Sequence, residues 1–184
     1  MILFQSVAVD ENELLKRVKT NKTAFLEIYD TYFLKIYNYV FYRTFNQADA
    51  EELTSQTFLS ALENIDRYEY RNVSLGAWLF KIASNAINDL YRKRGVTVDW
   101  EETENLRASE PTPELALLLK AEKEQLMQEL RALPVLQEQA LVLRYLHDLS
   151  YKEISEIMDK TEGSVKQLLH RGLGNLRERM VHHE

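Results

Sequence analysis

"LSYKEISEIMDKTEGSVKQLLHRGLGNL", residues 149–176, has the pattern of two helices joined by a tight turn. Ser150 followed by Glu153 is a capping box, and Ile154, Ile157 and Met158 give a short helix its apolar face. "DKT" turns the chain, Thr161 caps the next helix, and Val165, Leu168, Leu169, Leu173 and Leu176 are its apolar positions. A helix of about nine residues and one of about eighteen, across a turn of about four, have helix-turn-helix proportions. On the second helix Glu162, Ser164, Lys166 and Gln167 would face base edges, and His170 and Arg171, one turn on, would meet phosphates. An unrelated αα-hairpin with a solvated outer face is the alternative reading of the same pattern.

Working outward, the 184 residues suffice for one or two small domains; 45% hydrophobic residues can fill cores, and 28% charged residues keep the chain soluble. Only five Gly and three Pro interrupt it, and Val and Ile never alternate, so helical periodicity dominates and an all-α fold is expected. The absence of cysteine excludes disulfides, thiolate metal sites and a cysteine nucleophile, and fits a reducing cytoplasm. The start, "MILFQSVAVDENE", lacks a basic leader and a long apolar core, so neither a signal peptide nor membrane insertion is expected. His147, His170, His182 and His183 are scattered or terminal, and there is no Gly-rich phosphate loop. No catalytic residue, metal or cofactor is therefore expected, and the chain is read as not an enzyme.

The net charge of −6 is unevenly placed. Asp99, Glu101, Glu102, Glu104, Glu110 and Glu114 face only Arg107 in a stretch with two of the three prolines. This is a flexible acidic linker, or at its simplest a solubilising spacer. Just before it, Arg71, Lys81, Arg92, Lys93 and Arg94 face only Asp89. Between Leu136 and Met180 seven bases meet seven acids. A helix-turn-helix without net positive charge gains little from counterion release and should bind DNA weakly alone.

The amino-terminal body begins with Asp10 and Glu13 in a capping-box pattern. A helix is expected over 23–45, another from Ala48, and a fourth from Leu75 to Arg94 with Leu75, Leu79, Ile82, Ala86 and Leu90 as its buried stripe. On the other side of that helix Lys81, Asn85, Asn88, Asp89 and Arg92 form a face that could read bases and phosphates, or could simply be solvated. Tyr68 and Tyr70 lie in the preceding loop, where they could stack unpaired bases or fold back to close the bundle. In the carboxy-terminal body Thr112–Pro113 starts one helix and Pro134 the next, where Leu136, Ala140, Leu143 and Leu146 should point inward.

Four stretches in order, "FLEIYDTYFLKIYNYV", "DAEELTSQTFLSAL", "WLFKIASNAINDLYRKR" and "LPVLQEQALVLRYLHDLSYKEISEIMDKTEGSVKQLLHRG", resemble bacterial RNA polymerase sigma factors of the sigma-70 superfamily, extracytoplasmic-function (ECF) type. The resemblance covers about residues 22 to 180. It implies a region 2 domain at 1–95, the acidic linker at 96–112 and a region 4 helix-turn-helix domain at 113–184. It implies that Asp49, Glu52, Gln56 and Phe58 belong to the surface that docks on the beta-prime coiled coil of core polymerase. Tyr68, Tyr70, Lys81, Asn85, Asp89 and Arg92 would then read the minus-10 element, where a base is flipped from the opening duplex. Trp78 would pack beneath that platform. Glu162, Ser164, Lys166, Gln167, His170 and Arg171 would read the minus-35 element. Core polymerase (including its beta flap), promoter DNA and an anti-sigma factor are the implied partners. Three departures from the family pattern stand out: Leu168 where an arginine is usual, Glu138–Gln139 in place of Arg-Glu, and Ser84 in place of arginine. They point to altered DNA contacts. The sequence ends a few residues past the last helix, so regulation is expected from a partner or from expression level. A stand-alone helix-turn-helix regulator is the competing reading, and it requires tight DNA binding by the isolated chain.

Overall fold

The fold comes from a computed structural model that describes residues 11–68, 74–94 and 121–181, the first four of helix 121–131 in backbone only. The Asp10 half of the first capping box, Tyr70, the linker, the Thr112–Pro113 helix start, His182 and His183 lie outside the described residues.

Local chemistry sets each boundary. Helix α1 (Glu11–Thr20) stops at Asn21, whose side chain accepts from the Thr23 N–H and pulls the chain through a 3₁₀ turn at Lys22–Ala24. Helix α2 (Phe25–Thr44) therefore begins two residues later than its periodicity suggests. It ends at Phe45, which takes a left-handed conformation (φ 48°) and donates its N–H to the Phe41 carbonyl. Asn46 then caps α3 (Gln47–Asn64) by accepting from the Asp49 N–H. Ser74 caps α4 (Leu75–Lys93) through the Ala77 N–H. Glu11 adds a carboxylate at the same helix start, accepting from the Leu75 N–H, where the helix dipole favours negative charge. Its other oxygen accepts from the Tyr32 hydroxyl, and burial together with this bond raises the Tyr32 pKa above its ordinary value.

These helices make the first lobe. Ile28, Ile36, Tyr39 and Val40 of α2 meet Ala50, Leu53, Phe58 and Ala61 of α3 and Leu79, Phe80, Ala83 and Ile87 of α4. The fully buried positions of α4 differ from the expected stripe: Ile82, Ala86 and Leu90 are half-buried, while Phe80, Ala83, Ser84, Ile87 and Tyr91 are inside. The reason is that α4 is covered on two sides, by α2 and α3 and by the second lobe.

The second lobe comprises α5 (Ala121–Arg131), α6 (Val135–Leu141), α7 (Tyr151–Met158) and α8 (Glu162–Val181). Its core is Leu133, Ala140, Leu141, Leu143, Ile154, Ile157, Val165 and Leu169. A Cβ at Gly172 would sit 3.0 Å from Leu141 Cδ1 and 3.3 Å from Gln137 Cβ, so glycine there lets α8 lie close against α6. Helix α6 continues as a wider π turn at Val142–Leu146. That turn swings Leu146 outward: it is 41% exposed, not inward as its spacing suggests.

The two lobes are docked on one another. Arg43 of α2 pairs with Glu138 of α6, Gln139 reaches Tyr39 and Ser84, and Arg131 covers the Phe45 ring at 4.4 Å. Among the described residues every regular element is helical, in agreement with the expected all-α architecture of two small helical domains.

Candidate nucleic-acid interface

The α7–α8 unit is held by its caps. Ser150 accepts from the Glu153 N–H while the Glu153 carboxylate accepts from the Ser150 N–H, completing the capping box. Asp159 takes the left-handed conformation (φ 51°) that turns the chain, and the Lys160 N–H donates to the Ser155 carbonyl. Thr161 accepts from the Ser164 N–H at 3.2 Å and so caps α8. With Val165 and Leu169 anchored in the core, Glu162, Lys166, Gln167, His170 and Arg171 are all exposed on the first turns of α8. Ser164 is half-buried, its hydroxyl 2.9 Å from that of Thr161. The Lys166 ammonium lies 5.3 Å from the Tyr151 ring centroid, a cation–π contact that orients it on this exposed face. Leu168 is half-buried and packs on the core, so it adds nothing polar to this face. The face combines amide, ammonium, imidazole and guanidinium groups on a capped helix, a donor and acceptor set suited to a DNA groove.

Helix α4 carries the second cluster. Asn85, Asp89 and Arg92 are exposed, and Arg92 is bonded to Asp89 at 2.8 Å one turn back. Lys81 is engaged: its ammonium donates to the Asp159 carboxylate at 2.6 Å and to the Glu156 carbonyl at 2.9 Å, both in the second lobe. Tyr68 is buried rather than presented to solvent, its ring 4.6 Å from that of Trp78, and Lys19 donates to its carbonyl. In this state Tyr68 follows the fold-back alternative.

The third cluster is on α3. Glu52 and Gln56 are exposed, next to the exposed Leu59. Asp49 is buried in a bidentate pair with Arg94, both N–O distances 2.8 Å, a bond that holds the Arg94 pKa above its ordinary value. Phe58 is buried among Phe25, Tyr29 and Phe33. Asp49 and Phe58, which the resemblance assigns to the docking surface, are thus structural supports, and the exposed apolar Leu59 beside Gln56 was not singled out from the sequence.

Among the described residues no group of three or more His, Cys, Asp or Glu could hold a metal, and no helix is long and apolar enough to cross a membrane. The family model for sigma-70 region 2 matches residues 28–97, and that for sigma-70 region 4 matches residues 123–176. The chain belongs to the sigma-70 family. This sigma factor is 35% identical over 167 residues to the ECF RNA polymerase sigma factor BldN of Streptomyces coelicolor, covering 89% of the chain and 63% of BldN. It is 31% identical over 177 residues to the ECF RNA polymerase sigma factor SigW of Bacillus subtilis, covering 90% of the chain and 94% of SigW. The chain therefore spans under two thirds of BldN's length but nearly all of SigW's. Its fold is shared with CnrH, solved with the cytosolic domain of CnrY (TM-score 0.74, 18% identity, 95% of this chain and 99% of that one). It is shared also with the sigma factor RpoE of Bartonella quintana, solved with the anti-sigma factor NepR (TM-score 0.65, 23% identity, 88% and 96%).

Proposed function

We propose that this ECF sigma factor is a promoter-specificity subunit that works in the cytoplasm on core RNA polymerase and catalyses nothing itself. Helix α8 reads the minus-35 element through Lys166 and Gln167, with His170 and Arg171 on the backbone. Helix α4, with the loop before it, reads the minus-10 element and helps hold it open through Asn85, Asp89, Arg92, Lys81 and the tyrosines at 68 and 70. The exposed face of α3, with Glu52, Gln56 and Leu59, docks on the polymerase; Asp49 and Phe58 support it from beneath. The beta-prime coiled coil takes α3 and the beta flap takes the second lobe. An anti-sigma factor is the expected antagonist.

Both region models match one chain in order, while the lobe that carries α8 offers a reader without surplus positive charge, seven bases meeting seven acids between Leu136 and Met180. A second lobe balanced between acids and bases needs its affinity from elsewhere, and a polymerase that tethers both readers supplies it by effective concentration. The division of labour is tested by separating the steps. Asn85→Ala or Tyr70→Ala should lower open-complex formation far more than polymerase binding, and Gln56→Ala with Leu59→Asp should do the reverse. Equal effects of all variants on both steps would refute it.

A further inference from the structure

Helix α1 lies ahead of both matched regions, since the region 2 match begins at residue 28. Leu14, Leu15 and Val18 are buried and seat it on the first lobe. Arg17 ties it to Glu27 of α2 through a bidentate pair, with N–O distances of 2.8 and 2.6 Å. Near its carboxy-terminal end the Lys19 ammonium donates to the Tyr68 carbonyl at 2.7 Å. At its first residue Glu11 accepts from the Leu75 N–H at 2.9 Å. Neither bond is needed to start or stop a helix. Ser74 already caps α4 through the Ala77 N–H at 3.1 Å, and the Tyr68 N–H already closes the turn onto the Ile65 carbonyl at 3.2 Å.

Both grips are held from a second side. The other Glu11 oxygen accepts from the Tyr32 hydroxyl at 2.7 Å, so α2 orients the carboxylate. The Tyr32 ring reaches it by lying against the first turn of α4: a Cβ at Gly76 would stand 2.8 Å from Tyr32 Cε1, which only glycine avoids. At the far end Tyr68 is fixed by its ring, 4.6 Å from that of Trp78, as well as by its carbonyl. Glu11 and Lys19 are eight positions apart on one helix, about 12 Å along its axis at 1.5 Å per residue. A single stiff element therefore sets where Tyr68 and Leu75 stand relative to one another.

We propose that α1 is a brace for the minus-10 reader, with Lys19 and Glu11 as positioning residues that hold Tyr68 and the first turn of α4 in register for promoter opening. The brace stands on the contacts alone; its consequence for opening rests on the reading of α4 given above.

Two measurements on the full-length chain separate these parts. Amide hydrogen exchange followed by NMR reads the brace in the free protein. Glu11→Ala removes a charged acceptor and should speed exchange of the Leu75 N–H by about tenfold or more. An unchanged Leu75 rate would overturn the brace. Permanganate reactivity of unpaired thymines, on a promoter that this chain and core polymerase transcribe, reads the consequence. Lys19→Met should lower opening about tenfold at saturating polymerase, with polymerase binding and the thermal midpoint unchanged. Lys19→Arg, which keeps a cationic donor, should restore opening. Arg17→Met cuts the tie to α2 but touches neither Tyr68 nor Leu75, so its opening should match the wild type. Normal opening by Lys19→Met where Asn85→Ala fails would overturn the positioning role. So would equal losses in Lys19→Met and Arg17→Met, or a Lys19→Met loss that tracks a lower thermal midpoint. Normal opening by Asn85→Ala as well would refute the reading of α4 instead, leaving the brace to the exchange result.

Discussion

Acidification should destabilise the docked protein through one side chain, His147. Its ring packs edge-on to Tyr39 (5.9 Å between centroids) and against Phe80 (4.8 Å), so it belongs to the second lobe but is enclosed by the first. Its Nε2 is buried without a hydrogen-bond partner. Burial, with the nearby Lys35 ammonium as a smaller contribution, pushes its pKa down to about 4. An unfolded histidine titrates near 6.5. Between these values the unfolded chain carries a proton that the folded chain does not, so stability rises with pH and is lost as pH falls. At pH 7.5 both states are neutral and nothing is lost; at pH 5 the deficit is about 2 kcal/mol, and it approaches about 3 kcal/mol below pH 4. Glu153 does not mimic this. Burial opposes its ionisation, but the bonds from Ser74 and Ser150 win and hold its pKa below the ordinary range. Its contribution is therefore complete above the ordinary carboxylate value and fades only at lower pH. Urea unfolding followed by circular dichroism at pH 7.5, 6 and 5, for the wild type and for His147→Leu, isolates the effect. The wild type should lose about 2 kcal/mol more than the variant between pH 7.5 and 5. Parallel profiles would refute the enclosure of His147 by the first lobe.

Three further outcomes follow from the packing and the reader face. Gly172→Leu should cost more than ~2 kcal/mol in thermal or urea unfolding, because the added side chain meets Leu141 and Gln137 at a close helix crossing, whereas Gly174→Ala, with open space around it, should not destabilise. Ser150→Ala removes the capping oxygen of α7 and should cost about 1 kcal/mol, read as a lower urea midpoint. Lys166→Ala, measured as promoter binding by the polymerase complex at several salt concentrations, should cost about 1–3 kcal/mol at one base position if the ammonium reaches a base edge; a uniform loss with a smaller salt slope would assign it to phosphate instead.

Much of the fold was legible because capped, periodic helices announce themselves. The Ser150–Glu153 box and the start of α4 at Leu75 were readable to the residue. Helix α2 was not, since Asn21 diverts its first residues into a 3₁₀ turn that periodicity does not register. Leu146 was misplaced because a π turn changes the residues per turn, and hydrophobic spacing presumes a regular helix. The exposed face of α8 was recoverable because Val165 and Leu169 fix which way the helix faces. The role of Ser84, Glu138 and Gln139 was hidden. As departures from a family pattern they suggested changed DNA contacts, yet here they are buried and spent on Tyr39, Arg43 and each other. Partners 55 to 100 residues apart leave no local signal.

Under the proposed function, two DNA readers of little independent affinity should become selective only when core polymerase holds them apart. Run-off transcription with purified core enzyme, on the DNA upstream of this chain's own coding sequence, tests it most directly. A discrete transcript that needs both the chain and the core enzyme, from a duplex that the chain alone does not shift in a gel, is the expected result. No transcript, or tight binding of that duplex by the chain alone, would overturn this dependence on the core enzyme.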